Sequence, residues 1–257
     1  GPSATNTITG VAGAWIDSIP CIFISGQVNL ADTIGDKPLR QLGLQEVDII
    51  SIVKSITKYS IMINDAATIK YHLQKALYLA KNGRPGPVWI DIPFNLQGTQ
   101  INEDELVSFD PSELNLSMNF DDIVLKENVT KCIKLIKKAE RPVILAGNGI
   151  RLANAQEEFL TMVEKLKIPV LTTWGAADLI QEDHELFIGR PGLFGQRAAN
   201  FALQNSDLLI VVGSRLSIPQ TGYNYRAFAR TARIVMVDID SEELKKERLN
   251  VYLPINY

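Results

Sequence analysis

Apolar and polar positions along the chain fall into two patterns. Short unbroken apolar runs lie at 19–25 (IPCIFIS), 59–63, 88–92, 142–146, 169–173, 208–212 and 233–238. Runs of this length predict strands, and continuous apolarity is the mark of a strand covered on both faces. Between them lie stretches whose apolar residues recur three and four apart, predicting helices at 7–17, 68–82, 126–139, 153–167 and 197–205 and one within 44–53. The clearest stripe is Ile69, Leu73, Ala76, Leu77 and Ala80, and Thr5-Asn6 offers a cap for the first helix.

Punctuation agrees with this alternation. Gly83-Arg84-Pro85-Gly86-Pro87 breaks a helix and opens directly onto the strand at 88–92. From position 85 to 125 there is no Lys or Arg, while Glu103, Asp104, Glu105, Asp110, Glu113, Asp121 and Asp122 accumulate. That acidic, weakly periodic stretch predicts a solvated linker over 97–123. It divides the chain into a first unit, 1–96, and a second, 124–257. Strands alternating with helices on either side predict an α/β fold of two doubly wound parallel-sheet units, the second resembling a nucleotide-binding domain.

Composition narrows the function classes. Of 257 residues 46% are hydrophobic and 21% charged, as in a globular protein, and the length suits one large or two ordinary domains. A net charge of −3 gives no electrostatic case for nucleic acid or an acidic membrane surface. No apolar run approaches the roughly 20 residues that span a bilayer. The two cysteines, Cys21 and Cys132, have no metal-like spacing and read as buried thiols of a reducing compartment. Asn115-Leu116-Ser117 and Asn128-Val129-Thr130 match the glycosylation pattern by chance, since nothing signals secretion; the cytoplasm is the default compartment. His72 and His184 read as surface residues without a nucleophile partner.

Candidate chemistry gathers where strands end. Gly147-Asn148-Gly149, Thr172-Thr173-Trp174-Gly175 and Gly213-Ser214-Arg215 each follow a strand of the second unit, and Asp238 and Asp240 end the last one. Ligands of open parallel sheets collect at carboxyl ends of strands, where glycine lets backbone approach a diphosphate or ribose and a carboxylate accepts from ribose hydroxyls. Each element also has a structural reading. Gly-x-Gly serves as a tight turn, Asp240 ahead of Ser241-Glu242-Glu243 caps a helix, and the full dinucleotide fingerprint is missing. Their conjunction at successive strand ends points to a dinucleotide. In the first unit, Gln27 follows a strand and Gln45-Glu46 opens or lies within a helix; amides at strand ends can orient a polar ligand, and structural hydrogen bonding is the alternative, preferred on the residues alone.

Taken in order, Gly1-Pro2-Ser3-Ala4-Thr5-Asn6, Ser25-Gly26-Gln27-Val28, Leu44-Gln45-Glu46 and the segment 83–87 resemble thiamine-diphosphate enzymes of the acetolactate synthase type. The first matches that family's G-P-G-A-T-N turn with Ser3 in place of glycine. The resemblance implies that residues 1–96 are the later part of a pyrimidine-binding domain. Residues from 124 onward resemble the central domain that holds FAD in synthases of this type, although some relatives work without flavin. It further implies a catalytic Gln45 near the thiamine and substrate pocket and an Arg84 that contacts FAD; the alternative for Arg84 is capping of the preceding helix. Gly147, Gly149, Thr172, Thr173, Leu193, Gly195, Gly213, Arg215, Asp238 and Asp240 would line the FAD groove.

By the same resemblance the activating glutamate lies upstream of residue 1 and the G-D-G…N motif for diphosphate and Mg lies downstream of residue 257. This chain then holds no metal site and cannot complete thiamine catalysis alone. The implied activity is decarboxylation of a 2-oxo acid such as pyruvate with transfer of the carbanion equivalent to an acceptor, in a homodimer or homotetramer. Two departures stand out. Leu44 and Phe94 occupy places where synthases often present Phe and Lys to the substrate, which points to an acceptor other than pyruvate, a keto-sugar or another ketone. Leu216-Ser217-Ile218-Pro219 lacks the acidic and basic residues of synthases. The rival reading, from a different class, is a non-catalytic nucleotide-binding or assembly module.

Overall fold

The computed structural model describes residues 1–114 and 121–257, so the glycosylation match at 115–117 and part of the acidic stretch lie outside the described residues. The chain forms two compact units, Gly1–Met118 and Asn119–Tyr257. Among the described residues no helix is long and apolar enough to cross a membrane.

The first unit runs α1 (Ile8–Ile16), β1 (Ile22–Gln27), α2 (Ile49–Val53), β2 (Tyr59–Met62), α3 (Ile69–Lys81), β3 (Val88–Pro93) and α4 (Phe94–Gln97). Its three strands are parallel in the order β1-β3-β2. The central strand β3 is buried on both faces. Val88 and Ile90 pack with Ala76 and Ala80 of α3, while Trp89 packs with Val11 of α1 and Ile49 and Val53 of α2. Phe23 of β1 stacks on Trp89 with ring centroids 5.3 Å apart.

Three expectations for this unit need correction. The run at 19–25 is not covered twice: β1 is an edge strand, and on one of its faces Ile22 and Ile24 are exposed, Ile24 by 60%. Thr5 does not cap α1. A 3-10 turn over Pro2–Thr7 precedes the helix, and the Thr5 and Thr7 hydroxyls donate back to Pro2 O and Ala4 O. The helix expected within 44–53 is α2, which starts at Ile49 where the Asp48 carboxylate accepts from Ser51 N at 3.0 Å. The acidic stretch is not purely solvated. Phe109 inserts against Tyr71 and Tyr78 of α3, at centroid distances of 5.6 and 5.7 Å, and its N–H donates to Gln74 Oε1.

The second unit runs α5 (Asp122–Ile136), β4 (Pro142–Ala146), α6 (Gly149–Leu152), α7 (Gln156–Leu166), β5 (Val170–Thr172), β6 (Phe187–Gly189), α8 (Arg197–Asn205), β7 (Leu208–Val212), α9 (Ile218–Thr221), β8 (Arg233–Asp238), α10 (Ser241–Leu244) and β9 (Val251–Asn256). All six strands are parallel, in the order β6-β5-β4-β7-β8-β9. Counted within the unit this is third, second, first, fourth, fifth, sixth, the order of dinucleotide-binding sheets, with its switch point between β4 and β7. Alternate residues feed two cores. Ile144, Ala146, Val170, Leu208, Ile210 and Val235 face α6 and α7. Val143, Leu145, Leu171, Leu209, Val211 and Met236 face α8 and α10. That double coverage is why these strands read as continuous apolar runs.

The periodicity missed both edge strands. β6 has three residues, and β9 carries Pro254, a residue a sheet tolerates at its edge. Asp238 therefore ends the penultimate strand. Cys21 and Cys132 are free and half-buried rather than buried, and burial pushes the Cys132 thiol pKa up.

Candidate functional site

Each unit concentrates its polar chemistry at the carboxyl ends of its strands. In the first unit the organising group is a carboxylate in the middle of an apolar strand. Asp91 is 1% exposed, so its charge must be met inside the fold. Ser25 Oγ donates to Oδ1 at 2.6 Å and Gln27 Nε2 to Oδ2 at 2.9 Å, while Trp89 Nε1 donates to Ser25 Oγ at 2.8 Å. Burial raises the Asp91 pKa, and the bonds from Ser25 and Gln27 oppose that without cancelling it.

Gln27 passes this order on. Its amide also donates to Val47 O at 2.8 Å, tying the far end of the loop 28–46 to the end of β1. The loop has no regular strand or α-helix of its own. Glu46, 9% exposed, holds it together from within. Its Oε1 accepts from Ile34 N at 2.6 Å, and its Oε2 accepts from Leu42 N at 3.0 Å and Gly43 N at 3.3 Å. Burial alone would raise the Glu46 pKa; the donors at Leu42, Ile34 and Gly43 outweigh it and hold the carboxyl below its ordinary value.

Gln45 sits outside α2, on a left-handed backbone with φ 62°, and its side chain is exposed. Leu44 beside it is 89% exposed. Phe94, directly after β3, is 69% exposed, and its N–H donates to Val28 O at 3.3 Å. Leu44, Gln45 and Phe94 are thus brought to one end of this sheet. Arg84 is not among them. It precedes β3, at the amino end, and its Nε donates to Ser18 Oγ at 2.9 Å. Lys58 brings a cation to the C-terminus of α3, its ammonium donating to Asn82 O at 2.6 Å.

In the second unit the switch point is lined by glycine. A Cβ on Gly147 would lie 2.2 Å from Gly213 O, and one on Gly149 would lie 2.6 Å from Gly213 Cα. Gly213 itself has φ +64°. The loops after β4 and β7 touch backbone to backbone, with Gly149 N donating to Gly213 O at 2.9 Å. Gly147 N donates to Val212 O and Gly213 N to Val237 O, so the N–H groups of all three glycines are engaged in the fold. Around them lie the buried Thr172 and Thr173 after β5 and the half-buried Arg215 after β7. Thr172 Oγ1 is wholly buried with no hydrogen-bond partner among the described residues.

Asp238 ends β8, and Asp240 lies between it and α10. Asp238 Oδ1 accepts from Asp240 N at 2.9 Å, and the Asp240 carboxylate caps α10 by accepting from Glu242 N at 3.0 Å. Leu193 and Gly195 lie in the turn after β6, folded tightly enough that a Cβ on Gly195 would lie 2.5 Å from Gly192 N. Leu193 N donates to Pro219 O at 2.9 Å, which joins this turn to α9.

Both histidines differ from the surface reading. The Tyr59 hydroxyl lies 2.6 Å from His72 Nδ1. Burial, then the Lys75 ammonium, lowers the His72 pKa, while burial and neighbouring Tyr71 push Tyr59 up to about 12. His184 accepts from Leu186 N at Nδ1 and places Nε2 2.9 Å from Glu164 Oε1. Neither has its partner at the carboxyl end of a strand. The sequence had offered one signal for Asp91, a carboxylate inside the run at 88–92; Glu46 offered none, because its partners are backbone groups.

Comparison with known proteins agrees with this architecture. The family described as thiamine pyrophosphate enzyme, central domain, matches residues 129–255, and thiamine pyrophosphate enzyme, N-terminal TPP binding domain, matches residues 1–52. A probable acetolactate synthase large subunit of Methanococcus aeolicus is 39% identical, over 99% of this chain and 41% of that protein. The acetolactate synthase large subunit of Corynebacterium glutamicum is 36% identical over 99% of this chain and 39% of its own length. That of Lactococcus lactis is 35% identical over 96% and 41%. The chain spans about two fifths of the length of these curated relatives. With both family segments in the expected order, the chain belongs to the thiamine pyrophosphate enzymes and is similar along nearly all of its length to acetolactate synthase large subunits.

Proposed function

We propose that the full-length protein decarboxylates a 2-oxo acid such as pyruvate and transfers the carbanion equivalent to an acceptor. Thiamine diphosphate, held with Mg mostly by residues outside this chain, supplies the electron sink when bound. Within the chain, Gln45 presents an amide to orient the polar end of the donor or the aminopyrimidine. Leu44 and Phe94, exposed at the same end of the sheet, offer apolar surface where synthases often present Phe and Lys, which favours an acceptor other than pyruvate. The observation that carries this reading is the placement of Gln45, exposed and left-handed, at the carboxyl end of a sheet in a domain of this family.

The second unit suits FAD. A parallel sheet of dinucleotide-binding order, with backbone crossing its switch point too closely for any Cβ, leaves Asn148, Ser214 and Arg215 to meet the cofactor, since the glycine N–H groups are already used. The remaining members of this reading are Thr172, Thr173, Leu193, Gly195, Asp238 and Asp240. The protein then works in the cytoplasm as a homodimer or homotetramer. Full-length protein incubated with thiamine diphosphate, Mg and a panel of 2-oxo acids should release carbon dioxide; no release from any of them refutes the activity. It should also be yellow and release flavin on denaturation, and colourless protein that does not take up added FAD refutes the flavin site alone.

A further inference from the structure

The loop 28–46 presents an unusual combination. It carries an exposed Gln45 held at φ 62°, a conformation that costs a non-glycine residue on the order of 1 kcal/mol and persists only when its surroundings over-determine it. The fixings lie immediately on either side. After Gln45, Val47 O is held by Gln27 Nε2, itself bonded to the buried Asp91. Next to Gln45, the Glu46 carboxylate gathers N–H groups from both limbs of the loop, Ile34 from the outgoing limb and Leu42 and Gly43 from the returning one. Gly43 is pressed in place, since a Cβ there would lie 2.8 Å from Asp32 O.

We infer that Glu46 is a positioning residue: its carboxylate closes the loop 28–46 and thereby sets the direction in which Gln45 faces the reacting donor. The inference rests on the reading that Gln45 borders the thiamine and substrate pocket. The physical basis is that hydrogen bonds to a charged acceptor are roughly twice as strong as neutral ones, and three converge on one group. In Glu46→Gln the acceptor is neutral, and its amide nitrogen faces backbone N–H groups that it cannot accept from. The two limbs then part, and Gln45 relaxes toward ordinary backbone angles. Misplacement of an orienting group by about 1 Å costs up to 100-fold in rate.

The test uses the full-length protein loaded with thiamine diphosphate and Mg. Wild type, E46Q, Q45A and the double variant E46Q/Q45A are compared by kcat/KM for the active 2-oxo acid, and the first two by hydrogen exchange. E46Q should lower kcat/KM by about 10- to 100-fold and add little on the Q45A background, because a residue acting through another is silent once that other is gone. Exchange in peptides spanning 30–46 should quicken by about tenfold or more while those of α3 and β3 keep their rates. Fully additive losses, or unchanged exchange in the loop, overturn the inference and leave the decarboxylase reading standing. Wild-type constants in Q45A refute the role given to Gln45 and the inference with it. A protein inactive on every 2-oxo acid refutes the reading, and the exchange data then decide whether Glu46 closes the loop. If E46Q does not fold, Glu46→Asp, charged but too short to reach both limbs, takes its place in each comparison.

Discussion

Replacing Gly213 by alanine probes the crossing of β4 and β7 at its tightest point. Two costs are separable. The backbone at φ +64° puts an L-side chain in the left-handed region, at about 1–2 kcal/mol. The new Cβ would also stand 2.8 Å from both Gly149 Cα and Ile150 N and 2.9 Å from Gly149 C. These are backbone atoms that cannot rotate away, and overpacking of that kind costs about 1–3 kcal/mol. Gly213→Ala should therefore destabilise the second unit by about 2–5 kcal/mol. Gly213→Asn divides the sum, since asparagine tolerates left-handed angles but brings the same Cβ. It should recover only the first part. Gly175→Ala, in the same unit, with only an ordinary 3.6 Å contact to Asn148 Cβ and no left-handed backbone, is the control and should change stability by less than about 0.5 kcal/mol. Native-state hydrogen exchange of the β4 and β7 peptides reads the free energy of the second unit directly. If Gly213→Asn matches the control, the steric argument is wrong. If Gly213→Ala matches it too, the crossing is not as close as the geometry states.

Three further outcomes follow from the first unit. Gly10→Ala, in α1 with open space around it, should stabilise by about 0.8–1 kcal/mol through helix propensity, read as a higher denaturation midpoint at unchanged slope. Phe109→Ala should cost about 3 kcal/mol and free the acidic segment from α3, detected as new protease cleavage between 98 and 114. The lowered pKa of His72 means that the fold prefers the neutral imidazole. Stability is therefore full above the ordinary value of 6.5 and falls as pH drops through it toward the folded value. Melts between pH 7.5 and pH 5 should show this slope in the wild type, and His72→Gln should lack it; a slope of equal size in both would refute the assignment.

How far each part of this protein was legible follows from the range of the forces that shape it. The strands at 208–212 and 233–238 and the helix at 197–205 could be read to the residue, because period two and period 3.6 are properties of the local backbone and double coverage makes whole runs apolar. The sheet in dinucleotide-binding order follows from that alternation and the right-handedness of parallel crossovers. The edge strands β6 and β9 escaped, since each is paired along one side only and their residues carry a weaker apolar pattern. The same limit applies at the sites. The glycines at 147, 149 and 213 stood out as types, yet the reason for them is a backbone contact between segments more than sixty residues apart in the chain. Gln45 was visible through family resemblance, whereas its left-handed turn and the carboxylate that closes it were not. Hydrogen bonds from Glu46 run to main-chain groups that every residue possesses, so no pattern of side chains announces them, and only the folded loop brings Ile34, Leu42 and Gly43 to one charge.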